Sequence, residues 1–217
     1  MNATTTRVFI VDGHELVRRG LVDLVAAEPD LDVVGSAGSA EAALPLIAAS
    51  SPDVVLLDAR LTEGAGLGVG RRIRSDHPDV PCVLLASFDD DEALFTAVMA
   101  GAAGYLVKQV GGSSLLDGVR TVAGGRPLLD GAVVERLLDR LRRSGQGDHR
   151  GGSLDDHEQQ VLELVSRGST DRQIAEKLDT SPAEVQVWVT SLHAKLALRS
   201  RGPSVPPGHR MSPADPA

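Results

Sequence analysis

Five short apolar runs punctuate the first 125 residues, and longer stretches of helical period separate them. The runs occupy residues 7–11, 32–36, 54–58, 83–86 and 104–107. After the first, Leu16, Leu21, Leu24 and Val25 recur at helical spacing; after the fourth, Leu94, Ala97 and Val98 do the same. A short apolar run followed by a helix, repeated five times, permits few folds. The expected fold is α/β: a five-stranded, doubly wound parallel sheet with helices on both faces. Crossovers in such a sheet are right-handed, and ligands gather at the carboxyl ends of the strands. Apolar residues make up 42 % of the chain, enough for a sizeable core, but aromatics only 2 %. That core is therefore built of Leu, Val, Ile and Ala.

The pattern changes beyond residue 125. Residues 128–143 carry Val133, Val134, Leu137, Leu138 and Leu141 at helical spacing. SGQGDHRGGS, residues 144–153, is polar and Gly-rich and reads as a linker. Three helical segments follow, over residues 154–166, 170–178 and 181–196. Thr170 and Gln173 have capping-box spacing at the second. The third opens S-P-A-E, where Ser181 can cap, Pro182 suits the first turn and Glu184 can reach back. Two short helices joined by about three residues form a helix-turn-helix pattern. The tail, residues 201–217, holds five of the twelve prolines and has no period, so disorder is expected there.

Three strand ends carry charge. Asp12 follows the first run, Asp58 closes the third, and Lys108 follows the fifth. In a doubly wound sheet these tips converge on one crevice. A carboxylate there is a nucleophile for a phosphoryl donor, and the charge it takes on needs a divalent cation and an ammonium. Lys108 supplies the ammonium. An acid at a strand end also serves simply to cap the following turn, and residue by residue both readings stay open.

The stretches VDGHELVRRGL, DVVLLDARL and AGAAGYLVK resemble the receiver domain of bacterial response regulators. EQQVLELVSRGSTDRQIAEKL through SLHAKL resembles the LuxR-type DNA-binding domain. In this order, over residues 6–196, they resemble the NarL/LuxR class of two-domain regulators. The resemblance implies a flavodoxin-like receiver over residues 6–125. A linker helix and flexible linker would span 126–153, a small all-α LuxR-type helix-turn-helix domain 154–198, and a disordered Pro-rich tail 199–217. It implies Asp58 as phosphoacceptor, Asp12 and Asp58 as the acids of a Mg²⁺ pocket, and Lys108 as the contact to the phosphoryl group. Tyr105 would be the switch aromatic. Ser87 is the hydroxyl left near the second switch position.

Departures from the family pattern shape the expectations. Gly13 stands where a second, metal-binding acid is usual. Ala86 stands where a Ser or Thr is usual, and Thr62 replaces a Pro. Mg²⁺ wants near-octahedral oxygen ligands and usually takes one or two carboxylates. Its binding, and phosphorylation of Asp58, are therefore expected to be weak or absent. Asp89, Asp90 and Asp91 could lean over the site, although acids at a helix start are commonly just solvated. The histidines 14, 77, 149, 157, 193 and 209 are scattered without metal-ligand spacing. No second catalytic constellation is present, so an enzyme is not expected.

The third helix of the C-terminal segment departs as well. Ala183 and Gln186 stand where the family usually has lysines, Val187 where it has Asn, and Ser191 where it has Arg or similar. Arg172, Gln186 and Lys195 remain as candidate DNA contacts. Residues 154–200 hold five cations against eight anions, a balance of −3. That balance disfavours the phosphate contacts that drive non-specific DNA affinity. Trp188 suits either the core or, if exposed, a protein contact. The family's last helix is expected to be missing, since a helix cannot run through G-P-S-V-P-P.

The net charge of −8 argues against general affinity for nucleic acid or anionic membrane. No apolar run approaches the roughly 20 residues of a membrane span. The single cysteine, Cys82, excludes an internal disulfide and suits a reducing cytoplasm. The expected function is that of a two-component response regulator acting in DNA-binding transcription regulation in the cytoplasm. Its partners would be a sensor histidine kinase, DNA, and a second copy or a related regulator in a homodimer or heterodimer. The alternative is a pseudo-response regulator that acts by protein contact, as heterodimer partner or antagonist.

Overall fold

Residues 5–61, 65–87, 91–108, 112–129, 156–166 and 169–200 are described by the structure, a computed structural model. The expected linker 144–153, the Pro-rich tail from 201, Thr62, Asp89, Asp90 and most of the expected helix over 128–143 lie outside the described residues.

Each of the five apolar runs forms a strand: β1 (Thr6–Val11), β2 (Leu31–Ala37), β3 (Val54–Asp58), β4 (Cys82–Ala86) and β5 (Gly104–Val107). All neighbours pair in parallel, in the order β2-β1-β3-β4-β5. The direction of winding reverses between β1 and β3. Their carboxyl ends therefore flank the topological switch point, where doubly wound sheets bind ligands.

Alternation along the strands divides the core in two. Val8, Ile10, Val54, Leu56, Val83 and Leu85 face α1 (Glu15–Ala26) and α5 (Gly112–Ala123), which contribute Leu21, Val25, Leu115 and Val119. Phe9, Val11, Val55, Leu57 and Leu84 face the other way. There they meet α2 (Ala40–Ser50), α3 (Ala65–Asp76) and α4 (Asp91–Ala100). Cys82 lies on this second face, and burial pushes its thiol up to about 12. The β1–β2 register slips between Val8 and Phe9, which brings Gly35 opposite Phe9. A Cβ at Gly35 would stand 2.6 Å from the Phe9 ring, so only glycine leaves that ring its place. Leu16 departs from its expected core role: it is 84 % exposed on the first turn of α1.

The C-terminal segment folds as α6 (Asp156–Ser166), α7 (Asp171–Leu178) and α8 (Pro182–Ser200). Both expected capping boxes form. Thr170 Oγ1 accepts from the Gln173 N–H while the Gln173 side chain accepts from the Thr170 N–H. Ser181 Oγ and Glu184 exchange the same pair of bonds. Thr180 also donates to Glu184, and these bonds hold its carboxyl below the usual range. Asp179 ends α7 in the left-handed region at φ 51° and turns the chain into α8. Val161, Leu162, Val165, Ile174, Val185, Val189 and Leu192 close the small core. α8 runs to Ser200, past the end at Leu196 that the sequence suggests.

The helical segment docks on α3 and α4. The Phe95 ring stacks on His193 with centroids 5.6 Å apart, and Thr96 Oγ1 lies 2.8 Å from His193 Nε2. Arg71 of α3 donates to the Met99 carbonyl at 2.7 Å and forms a buried ion pair with Asp171 at the start of α7. Desolvation cancels much of the Coulomb gain of such a pair, so its net contribution is small. Removing one partner is another matter, because the remaining charge stays buried. Arg71→Ala is therefore expected to cost about 3–5 kcal/mol in urea unfolding. Arg71→Ala combined with Asp171→Ala should cost less than Arg71→Ala alone. An Arg71→Ala cost below that of exposed pairs, about 1 kcal/mol, would show that this contact is not closed in solution.

Candidate functional site

A strand-to-helix turn places each acid. β1 ends at Val11, and Asp12 follows fully buried. Its Oδ1 accepts the His14 N–H at 2.8 Å, and its carbonyl accepts from Arg18 of α1 at 2.7 Å. These bonds lock the turn that starts α1. Asp58 ends β3, 1 % exposed, and its Oδ1 accepts the Arg60 N–H at 3.2 Å. The Lys108 N–H donates to the Ala86 carbonyl at 2.7 Å, which fixes the lysine beside the tip of β4.

The Lys108 ammonium then joins the two acids. Its Nζ lies 2.6 Å from Asp12 Oδ2 and 3.0 Å from Asp58 Oδ1. Two buried carboxylates this close repel each other, and one ammonium between them compensates a single charge. Asp58 Oδ2 is buried and accepts no hydrogen bond. Leaving such an oxygen unmet costs about 1–3 kcal/mol, so a further positive group beside it would be stabilising.

That further group has one visible neighbour that sequence reasoning missed. His14 Nδ1 stands 3.6 Å from Asp12 Oδ1 and 3.8 Å from Asp58 Oδ2. Asp12, His14 and Asp58 form a group of side chains that could hold a metal ion. Of the histidines scattered along the sequence, His14 stands beside both acids in space. The available signal was its place two residues after Asp12 in a tight turn. Nothing in linear spacing ties it to Asp58.

Ala86 is buried at the end of β4 and brings no hydroxyl to the crevice. Ser87 follows just beyond the strand, half-buried. Tyr105 is half-buried against the core on the α2–α4 side. The candidate DNA contacts do not share one face. Gln186 is exposed on the first half of α8, beside Val187, which is also exposed. Lys195 lies nine residues on, half a turn round the helix, and pairs with Glu158 of α6. Arg172 is exposed and lies 3.9 Å from Asp76 of α3. Trp188 is half-buried against the core and meets His157 edge-on, with centroids 4.2 Å apart.

The family model for the response regulator receiver domain matches residues 8–120, and that for the bacterial regulatory proteins of the luxR family matches residues 152–205. The chain belongs to the response regulators that join a receiver to a luxR-type DNA-binding domain. It is 43 % identical over 195 residues to the DNA-binding transcriptional activator DevR/DosR of Mycobacterium tuberculosis, covering 90 % of each chain. It is 32 % identical over 204 residues to the transcriptional regulatory protein LiaR of Bacillus subtilis, covering 94 % of this chain and 97 % of that one. The receiver domain of the putative response regulator NarL from M. tuberculosis is similar in structure. Its TM-score is 0.53 at 34 % identity, covering 56 % of this chain and 98 % of that one.

The protein is thus a response regulator in DNA-binding transcription regulation, from a family that is not an enzyme family. Receiver domains generally bind Mg²⁺, and regulators of this family work with sensor kinases and DNA and often dimerise. Among the described residues no helix is long and apolar enough to cross a membrane. Lys108→Met should destabilise the receiver by roughly 3 kcal/mol, because it strands two buried carboxylates. Adding Asp12→Asn should recover part of that loss in chemical denaturation. Equal stability of Lys108→Met and the wild type would show that the three charges do not form one unit.

Proposed function

We propose that phosphoryl transfer from a sensor histidine kinase to Asp58 controls this regulator, with weak cation support. The joined Asp12, Lys108 and Asp58 at the switch point carry the proposal. An Asp58 oxygen attacks the phosphorus of a phosphohistidine. The P–N bond breaks, the histidine leaves with a proton, and an acyl phosphate forms. Lys108 sits close enough to Asp58 to follow the new charge onto a phosphoryl oxygen. Tyr105 is the switch aromatic in this reading. Ser87, just past Ala86, is the hydroxyl nearest the usual switch position.

A bound divalent cation would neutralise the phosphoryl oxygens. The crevice suits one in part: Asp12 Oδ1 and Asp58 Oδ2 both turn away from Lys108, and Asp58 Oδ2 has no other partner. Gly13 offers no third oxygen, so Mg²⁺ is held weakly and the acyl phosphate forms slowly.

The receiver unit extends over residues 6–125 and the DNA-binding unit over 154–198. Gln186 serves base contact and Arg172 phosphate contact, while Lys195 is largely engaged by Glu158. The local balance of −3 keeps affinity for DNA low. Pairing with a second copy or a related regulator raises it by adding a second half-site contact. The setting is the cytoplasm.

Incubation with a small phosphodonor and Mg²⁺ should add one phosphoryl mass to the wild type and none to Asp58→Asn. An unmodified wild-type protein under those conditions sinks the proposal. Gly13→Asp should tighten Mg²⁺ binding roughly tenfold, as expected for a restored ligand. Unchanged Mg²⁺ affinity in that variant would mean that position 13 does not face the cation.

A further inference from the structure

Lys108 divides the oxygens of the crevice into two sets. It takes Asp12 Oδ2 and Asp58 Oδ1. The remaining oxygens, Asp12 Oδ1 and Asp58 Oδ2, lie 3.6 and 3.8 Å from His14 Nδ1. One ligand atom from each of Asp12, His14 and Asp58 falls within 4.8 Å of the other two. The two contacts to the imidazole are too long for hydrogen bonds, so the ring does not satisfy Asp58 Oδ2. That oxygen belongs to a side chain 1 % exposed and is aimed into the crevice without a partner. This separates the group from an ordinary cluster of surface acids.

The spacing is close to what a shared ion needs. Ligands with bonds of about 2.1 Å stand about 3.0 Å apart in octahedral and about 3.4 Å apart in tetrahedral coordination. The two His14 gaps exceed the tetrahedral spacing by about 0.2 and 0.4 Å and the octahedral spacing by about 0.6 and 0.8 Å. The acids are fixed by burial and by Lys108, whereas the His14 side chain is 71 % exposed at the N-cap of α1. Its ring is therefore the one member of the three that can move toward an ion without shifting the sheet.

We infer that His14 takes up the place Gly13 leaves open, which makes the crevice a mixed oxygen–nitrogen site. A first-row transition ion such as Co²⁺, Mn²⁺ or Zn²⁺ binds through Asp12, Asp58 and His14. Mg²⁺, which prefers oxygen, uses the two carboxylates alone. The inference rests on the reading of Asp12 and Asp58 as the cation pocket of the proposed phosphoacceptor site. An ion on Asp58 Oδ2 leaves Asp58 Oδ1 beside Lys108 as the oxygen open to phosphorus.

A higher affinity for Co²⁺ than for Mg²⁺ decides little, since most nitrogen and oxygen sites share that order. Variants decide it. The full-length protein is titrated calorimetrically with Co²⁺ and with Mg²⁺ as wild type, His14→Ala and Asp58→Asn, and visible absorption follows the Co²⁺ environment. His14→Ala should lose roughly tenfold or more in Co²⁺ affinity and shift the Co²⁺ spectrum. Its Mg²⁺ affinity should stay within about twofold. Asp58→Asn should weaken both ions. If His14→Ala binds Co²⁺ like the wild type while Asp58→Asn weakens both ions, His14 is not a ligand and the pocket reading stands. Equal losses of both ions in His14→Ala also overturn the inference. If Asp58→Asn changes neither ion, the ions bind elsewhere and the pocket reading falls with it.

Discussion

One ammonium between two buried carboxylates organises this molecule. Lys108 reaches Asp12 from β5 and Asp58 from the far side of β4, so it ties the tips of three strands across the switch point. Without it, two buried acids that close would repel and destabilise the convergence of the strand ends. Much of the surrounding geometry serves this contact. The Ala86 carbonyl holds the lysine backbone, Arg18 pins the Asp12 carbonyl, and the turn amides of His14 and Arg60 each take a carboxylate oxygen. What remains without a hydrogen bond in this cluster is a single oxygen, Asp58 Oδ2.

Buried apolar residues of the receiver and of the helix-turn-helix belong to one continuous cluster. Phe95, stacked on His193, and the buried pair of Arg71 with Asp171 set the register of that contact. The ion pair discriminates between alignments because a misplaced charge would be left buried and alone. The exposed first half of α8, with Gln186 and Val187, faces away from this contact. Docking therefore leaves Gln186 and Val187 exposed, while Arg172 lies 3.9 Å from Asp76 of the receiver.

Most of the fold was readable in the chain. Short apolar runs place all five strands to within a residue or so at each end, because burial on both faces leaves little else such runs can do. Both capping boxes were visible for a similar reason: they are local, and their partners are three residues apart. Leu16 misled because helical period assigns a face without showing how far along the helix that face is covered, and Leu16 is left exposed on the first turn of α1. The end of α8 ran past Leu196 because nothing at that position breaks a helix.

The sequence by itself determined the ancestry and the main acids, since Asp12, Asp58 and Lys108 stand at strand ends in a recognisable order. It also determined the losses, Gly13 and Ala86, which are identities and need no coordinates. Only the tertiary structure decided which oxygen of each acid is spent on Lys108 and which is left. It alone brought His14 to Asp58 and turned Lys195 away from Gln186 toward Glu158. The physical reason is separation along the chain. Contacts within a turn follow from local spacing, whereas the meeting of residues 14, 58 and 108 is set by how a twisted sheet gathers its strand ends.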